Sequence, residues 1–270
     1  MGIRARPRTQ SSLAIRGAEG PWFLANASPD AREQLEAIAD RDTDGVRSPP
    51  ISGVLLTDAE IDHTAGLLLL RESSTPVHVY GQPGVERALR DGYPVLSILE
   101  RYCGLKWHAL EPGQTRPLEG SSLTVEPFDV GGDAPRYLDG SGIELEASGF
   151  MFRDRAGGGV LTYVPGLARL DDAVLERFAS SDVVLVDGTF WRDDELARLG
   201  ITGRSAREMG HLPLSGPGGT LEALAQLERP RKAFVHINNT NPILLEDSPE
   251  REAVVRAGVE VAYDGLEVEL

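Results

Sequence analysis

Apolar residues along this chain recur in short β-branched runs, and three of these runs end on side chains able to bind a metal. The run at 51–56 passes into Thr57-Asp58-Ala59-Glu60-Ile61-Asp62-His63, the run at 183–186 ends on Asp187, and the run at 233–237 carries His236. Such lengths suit strands, and a strand buried on both faces reads as a continuous apolar segment. Open α/β sheets place their ligand sites at the carboxyl ends of strands. The pattern therefore predicts three strands that deliver Asp62, His63, Asp187 and His236 to one place, with Glu60 beside them.

Around these runs the chain alternates. Residues 12–15 and 22–26 read as strands paired about a turn at 17–21, and Ser28 and Pro29 as the cap and first position of a helix continuing over 31–38. Strands are predicted at 77–80, 106–110, 122–128, 144–153 and 160–164, helices at 65–71, 171–178 and 220–227, and the stretches 84–90 and 93–102 extend the alternation. Residues 259–270 read as two short strands about Asp264-Gly265. No long linker interrupts the order, which predicts a single α/β domain over 1–270 built as sheets covered by helices.

Composition narrows the function classes. Hydrophobic residues make up 41% of the 270, enough for a packed core. Lys+Arg 27 against Asp+Glu 42 leaves a net charge of -15, which disfavours nucleic acid and anionic membrane surfaces as partners. No stretch approaches the roughly 20 apolar residues of a membrane span. The basic opening leads into Thr9-Gln10-Ser11-Ser12 and not into an apolar signal segment. The single Cys103 excludes an internal disulfide framework and reads as a small hydrophobe; a cytoplasmic protein is expected.

Two histidines, His63 and His236, with a carboxylate from Asp62 or Glu60 make a ligand set with open positions. That set suits non-haem Fe(II) that activates dioxygen, and zinc accepts the same ligands, so a zinc hydrolase remains open. His211 is a candidate general acid or base, since His alone titrates near neutrality unperturbed. Arg204 and Arg207 are candidates for gripping substrate carboxylates, and Asn238 and Asn239, in the polar turn after His236, for further substrate contacts. The glycines of Ser215-Gly216-Pro217-Gly218-Gly219 mark a tight turn; no Lys follows at the spacing of a phosphate-binding loop. His78 and His108 lie within apolar strand patterns and read as structural.

Asp58-Ala59-Glu60-Ile61-Asp62-His63 resembles the His-x-His-x-Asp-His motif of the metallo-β-lactamase superfamily, with Asp58 and Glu60 in place of its first two histidines. Asp187 resembles the metal-bridging Asp of that superfamily and His236 its final metal His, and no His occurs from 109 to 210. The segments Arg8-Thr9-Gln10-Ser11-Ser12, Asn26-Ala27-Ser28-Pro29-Asp30, Val186-Asp187-Gly188-Thr189, Met209-Gly210-His211 and His236-Ile237-Asn238-Asn239-Thr240-Asn241-Pro242 further resemble the pyrroloquinoline quinone (PQQ) biosynthesis protein B family, from Arg8 to Leu270. The resemblance implies an αββα sandwich. It also implies iron-dependent oxygenation, with dioxygen as co-substrate, of the tyrosine-derived ring in a glutamate–tyrosine crosslinked precursor. Asp187 and His211 would be catalytic, and Asp62, His63, His236 and Glu60 would hold the metal. The substrate expected is a small amino-acid-derived molecule, and a homodimer is an open expectation. A non-catalytic carrier of PQQ or its precursor is the other role attached to the family. The glycine-rich first strand and cysteine zinc cluster with which such relatives begin have no counterpart here, by truncation or by natural loss.

Overall fold

The computed structural model describes residues 5–42 and 51–270, so the first four residues of the basic opening lie outside the described residues. Its first sheet runs β1 (Leu13–Ile15), β2 (Trp22–Ala25), β3 (Ile51–Leu55), β4 (Val77–Gly81) and β5 (Leu105–Ala109), antiparallel only between β1 and β2. The second sheet has seven strands in the order β12 (Glu260–Val261), β11 (Arg231–Val235), β10 (Val183–Asp187), β9 (Val160–Val164), β8 (Ser148–Asp154), β7 (Leu123–Asp129) and β6 (Arg116–Pro117). It is parallel from β12 to β9 and antiparallel from β9 to β6.

Strand periodicity of two sorts the side chains into three cores. Phe23, Leu55 and Tyr80 of the first sheet meet Val125, Phe150, Phe152, Tyr163 and Leu185 of the second in the core between the sheets. The alternate positions face outward. Leu24 and Val54 pack under α1 (Ala31–Asp42), α3 (Pro83–Arg87) and α4 (Val95–Tyr102), through Leu35, Val85 and Leu96. Val184, Val186 and Phe234 pack under α5 (Asp172–Ser180), α7 (Thr220–Ala225) and α8 (Pro249–Arg256), through Phe178, Leu224 and Val254. The architecture is therefore the expected αββα sandwich. Each fully buried large apolar side chain contributes roughly 1.5–3 kcal/mol, so the layers carry the stability and the strand ends can hold groups that would not stabilise a core.

The elements differ from the sequence reading at their edges. α1 starts at Ala31, because Ser28 Oγ accepts from the Asp30 N–H in a turn ahead of the helix and donates to Gln34. The helix expected over 65–71 is a 3-10 stretch, Ala65–Glu72, preceded by the single turn α2 (Ile61–Thr64). β8 begins at Ser148, so 144–147 is loop. β11 stops at Val235, which leaves His236 just past it. Of the two strands expected in 259–270 only β12 forms, because it adds in parallel to β11 instead of folding back as a hairpin. α8, capped by Ser248 Oγ on the Arg251 N–H with Pro249 at its first position, was not expected, although Ser-Pro-Glu is a helix-start signal. Among the described residues no helix is long and apolar enough to cross a membrane.

Candidate metal centre

Two close approaches set the floor of the site. Gly66 donates to Ala27 O, and a Cβ there would sit 2.2 Å from Ser28 O, so only glycine lets the 3-10 stretch after His63 lie against the loop leaving β2. Gly188 follows Asp187, and a Cβ on it would meet Phe234 Cβ at 2.8 Å. Among the described residues, Asn26 and His236 are the two non-glycine residues with positive φ, 61° and 51°. Both lie one residue past a strand, and such conformations cost of order 1–3 kcal/mol and collect at functional sites. Asn26 repays the turn by accepting from the Thr57 N–H at 3.0 Å and donating to Thr57 Oγ1 at 2.9 Å, which fixes the entry to the Asp58 loop.

Asp62, His63 and His236 come together, with ligand atoms all within 4.8 Å of one another. Asp62 Oδ2 lies 3.3 Å from His236 Nε2 and 4.0 Å from His63 Nε2. Ligands on one ion at about 2.0–2.2 Å are themselves roughly 3.3 Å apart in a tetrahedron, so these spacings suit a shared cation. His63 Nδ1 donates to Asp58, 2.8 Å from both carboxylate oxygens, so in the neutral ring the lone pair belongs to Nε2. Nε2 is buried without a hydrogen-bond partner. A buried, unpartnered, correctly oriented nitrogen beside a carboxylate and a second imidazole fits a divalent metal well.

The electrostatics agree. Burial works against the Asp58 carboxylate, but His63 and the hydrogen bonds from Glu60 N–H and Thr57 keep it below its ordinary range. Burial also penalises Asp62, and the His236 hydrogen bond with the charges of His63 and His236 outweighs it, holding the carboxyl well below the usual range. His63 is pushed the other way: against burial, Asp58, Asp62 and Glu60 raise it to about 9. Three carboxylates thus place a proton on the nitrogen where a cation would otherwise sit, and metal binding would release it.

A second group, Asp187, His211 and His236, also falls within 4.8 Å. Here the spacing decides against shared ligation: His211 Nδ1 donates to Asp187 Oδ2 at 2.7 Å, which is a hydrogen bond and too short for two ligands of one ion. Asp187 also accepts from Leu167 N–H, Thr189 N–H and Thr189 Oγ1. With its hydroxyl hydrogen on Asp187, Thr189 Oγ1 accepts from His236 Nδ1 at 2.7 Å; Nε2 of that ring faces Asp62, donating to it when the ring is protonated and open to a metal when it is not.

Other expected site residues fall out differently. Glu60 is not in either group; it occupies the cap position of α2, at the surface, where residual burial and the carboxylates of Asp58 and Asp62 push it up to about 7. Arg204 lines the cleft but gives its guanidinium to Glu208 O. Arg207 donates to Pro217 O and Gly218 O at 3.1 and 3.3 Å, so it braces the glycine turn and does not reach into the cleft. Asn238 and Asn239 line the cleft, about 2230 Å³, together with Asp62, His63, His211 and His236. Sequence reasoning missed Asp58 as the partner of His63, Thr189 as the joint between Asp187 and His236, and buried Asn241, which donates to Gly188 O at 2.8 Å and accepts from the Ile243 N–H. The Asp-Gly-Thr after β10 was the available signal for Thr189, and nothing local marked the others.

Residues 21–237 match the beta-lactamase superfamily domain. Coenzyme PQQ synthesis protein B of Cupriavidus necator is 46% identical over 280 residues, covering 99% of this chain and 90% of that protein. The chain belongs to the coenzyme PQQ synthesis protein B family. Its relative from Methylococcus capsulatus is likewise 46% identical, with the same coverage. The crystal structure of Zn(2+)-bound PqqB from Methylobacterium extorquens superimposes with a TM-score of 0.87 at 39% identity, over 99% of this chain and 89% of that one. Yeast PDE1, at 15% identity and a TM-score of 0.69, shares the fold.

Proposed function

We propose that this protein acts in PQQ biosynthesis as an Fe(II)- and dioxygen-dependent hydroxylase of the tyrosine-derived ring of a glutamate–tyrosine crosslinked precursor. The family's role in coenzyme PQQ synthesis supports the pathway. The single observation that carries the chemistry is the set of Asp62, His63 and His236 with His63 Nε2 unpartnered, two imidazoles and one carboxylate with room for further ligands. When bound, iron there would supply dioxygen activation.

The chain's own groups do the rest. Asp58 and Thr189 hold His63 and His236 by their Nδ1 atoms, so that both rings present Nε2. His211 keeps Nδ1 on Asp187, and the carboxylate raises it against the effect of burial. Its Nε2 is then the atom that gives or takes a proton in the cleft. Asn238 and Asn239 line the same cleft; the Asn238 amide donates to Thr240 Oγ1 and accepts from the Asn239 N–H, which orders this polar wall for an amino-acid-derived substrate.

The zinc in the Methylobacterium extorquens relative supports a second reading, a mononuclear zinc hydrolase on the same ligands. Oxygen uptake by Fe(II)-loaded protein given a hydroxyphenyl-containing amino-acid substrate separates the two. Uptake coupled to ring hydroxylation is the expected result. Ester or phosphodiester turnover with zinc and no oxygen uptake with iron would replace the hydroxylase by the hydrolase.

A further inference from the structure

His78, His108 and Glu119 form a cluster that shares no residue with the strand-end site, and their ligand atoms all lie within 4.8 Å of one another. His78 is on β4 and His108 on the neighbouring edge strand β5, while Glu119 belongs to the turn between β6 and β7 of the other sheet. The His108 ring stacks on Tyr80, 4.3 Å between centroids and 11° between planes, which fixes its orientation within the core between the sheets.

The distances are those of a coordination site. His78 Nδ1 is 3.1 Å from His108 Nε2 and 3.3 Å from Glu119 Oε2. Ligands of a tetrahedral zinc at about 2.0–2.2 Å are roughly 3.3 Å apart, so both separations fit edges of one polyhedron.

Hydrogen counting adds an independent reason. Arg116 Nη2, which can only donate, lies 3.3 Å from His108 Nδ1, so a neutral His108 carries its hydrogen on Nε2 and donates to His78 Nδ1. His78 Nδ1 then has no hydrogen for Glu119, and a carboxylate faces a nitrogen lone pair. Moving the hydrogen to His78 Nδ1 serves Glu119 but sets two N–H groups against each other. Each neutral arrangement leaves one contact wrong. A cation that takes one lone pair from each residue removes the conflict. Arg116, which is exposed and also donates to Ala109 O at 3.1 Å, has only to release His108 Nδ1. Lys106, which lines the depression beside His78 and Glu119, is the opposing charge. The Glu119 side chain is 60% exposed, so water can complete the shell.

We propose that His78, His108 and Glu119 bind a second divalent cation, of the zinc class, which ties β4 and β5 of the first sheet to the β6–β7 turn of the second. Metal-free full-length protein titrated with zinc should take up one more ion than the His78→Asn/His108→Asn variant. The parent's Tm should rise with zinc in a step that this variant lacks, since a ligand bound only by the folded state stabilises it. Glu119→Gln, on an exposed turn, should weaken the same step by about tenfold or more, past the lower bound for losing even an outer partner of a metal ligand. The Asp62→Asn/His236→Asn variant should keep this ion. Equal zinc uptake and equal Tm response in the parent, the double histidine variant and Glu119→Gln would overturn the site, as would loss of all zinc from Asp62→Asn/His236→Asn. Should the double histidine variant fail to fold, Glu119→Gln against the parent decides alone.

Discussion

Asp58 holds His63 by Nδ1 at 2.8 Å, and Asp187 holds His211 by Nδ1 at 2.7 Å; each aspartate stands at or just past the end of a parallel strand. The His63 side chain is 4% exposed, and its Nε2 finds Asp62 and His236 and no hydrogen-bond partner. The His211 side chain is 16% exposed, lines the cleft and, among the described residues, has no second carboxylate as near as Asp187. Under the proposed function the same histidine–aspartate pair would orient a metal ligand in one place and a proton-transfer group in the other. What separates them is the third group: Asp62 lies on the same helical turn as His63, whereas the third neighbour of His211 is a hydroxyl, Thr189.

The comparison breaks most sharply on the histidines. His63→Ala and His236→Ala are expected to abolish metal loading at this centre, measured as one bound ion fewer per chain than in the parent, while His211→Asn keeps the metal and lowers turnover by roughly 10²–10⁴-fold. Loss of metal from His211→Asn would make the two pairs alike. The aspartates come next. Asp58→Asn should weaken metal affinity by about 10–100-fold, as outer partners of metal ligands do. Asp187→Asn should leave metal stoichiometry unchanged but lower the Tm. An amide nitrogen there would meet donors it cannot accept from, among the four hydrogen bonds Asp187 now receives, and a buried unsatisfied group costs roughly 1–3 kcal/mol.

Asp58→His with Glu60→His sharpens the point further. It restores histidines where the superfamily motif has them, yet it removes the partner of His63, so the expected result in a metal titration is a weakened strand-end site and no additional tight ion relative to the parent. The smallest effect belongs to Glu60→Gln. Its carboxylate is at the surface and outside both ligand groups, so metal loading should match the parent's.

Much of the site was legible because its residues follow strands. The runs ending near Asp62, Asp187 and His236 were readable as buried strands, and parallel strands deliver their ends to one edge. Where Arg204 and Arg207 point was not legible, because an arginine's destination depends on which backbone carbonyls lie within reach of its long side chain. Here those belong to Glu208, Pro217 and Gly218. His78 and His108 looked structural because each sits in an apolar run, and their separation of 30 positions in the chain hides that β4 and β5 are neighbours.

The sequence by itself determined the three strand runs that lead to the site, their largely buried character, and the ligand-type side chains that follow them. Those properties follow from local periodicity, whose range is a few residues. The tertiary structure decided which nitrogen of each histidine is free, since that depends on Asp58, Thr189 and Asp187 reaching the other one. Hydrogen bonds are satisfied or left open over about 3 Å, and residues as far apart in the chain as Thr189 and His236 meet at that range only after the sheets have paired.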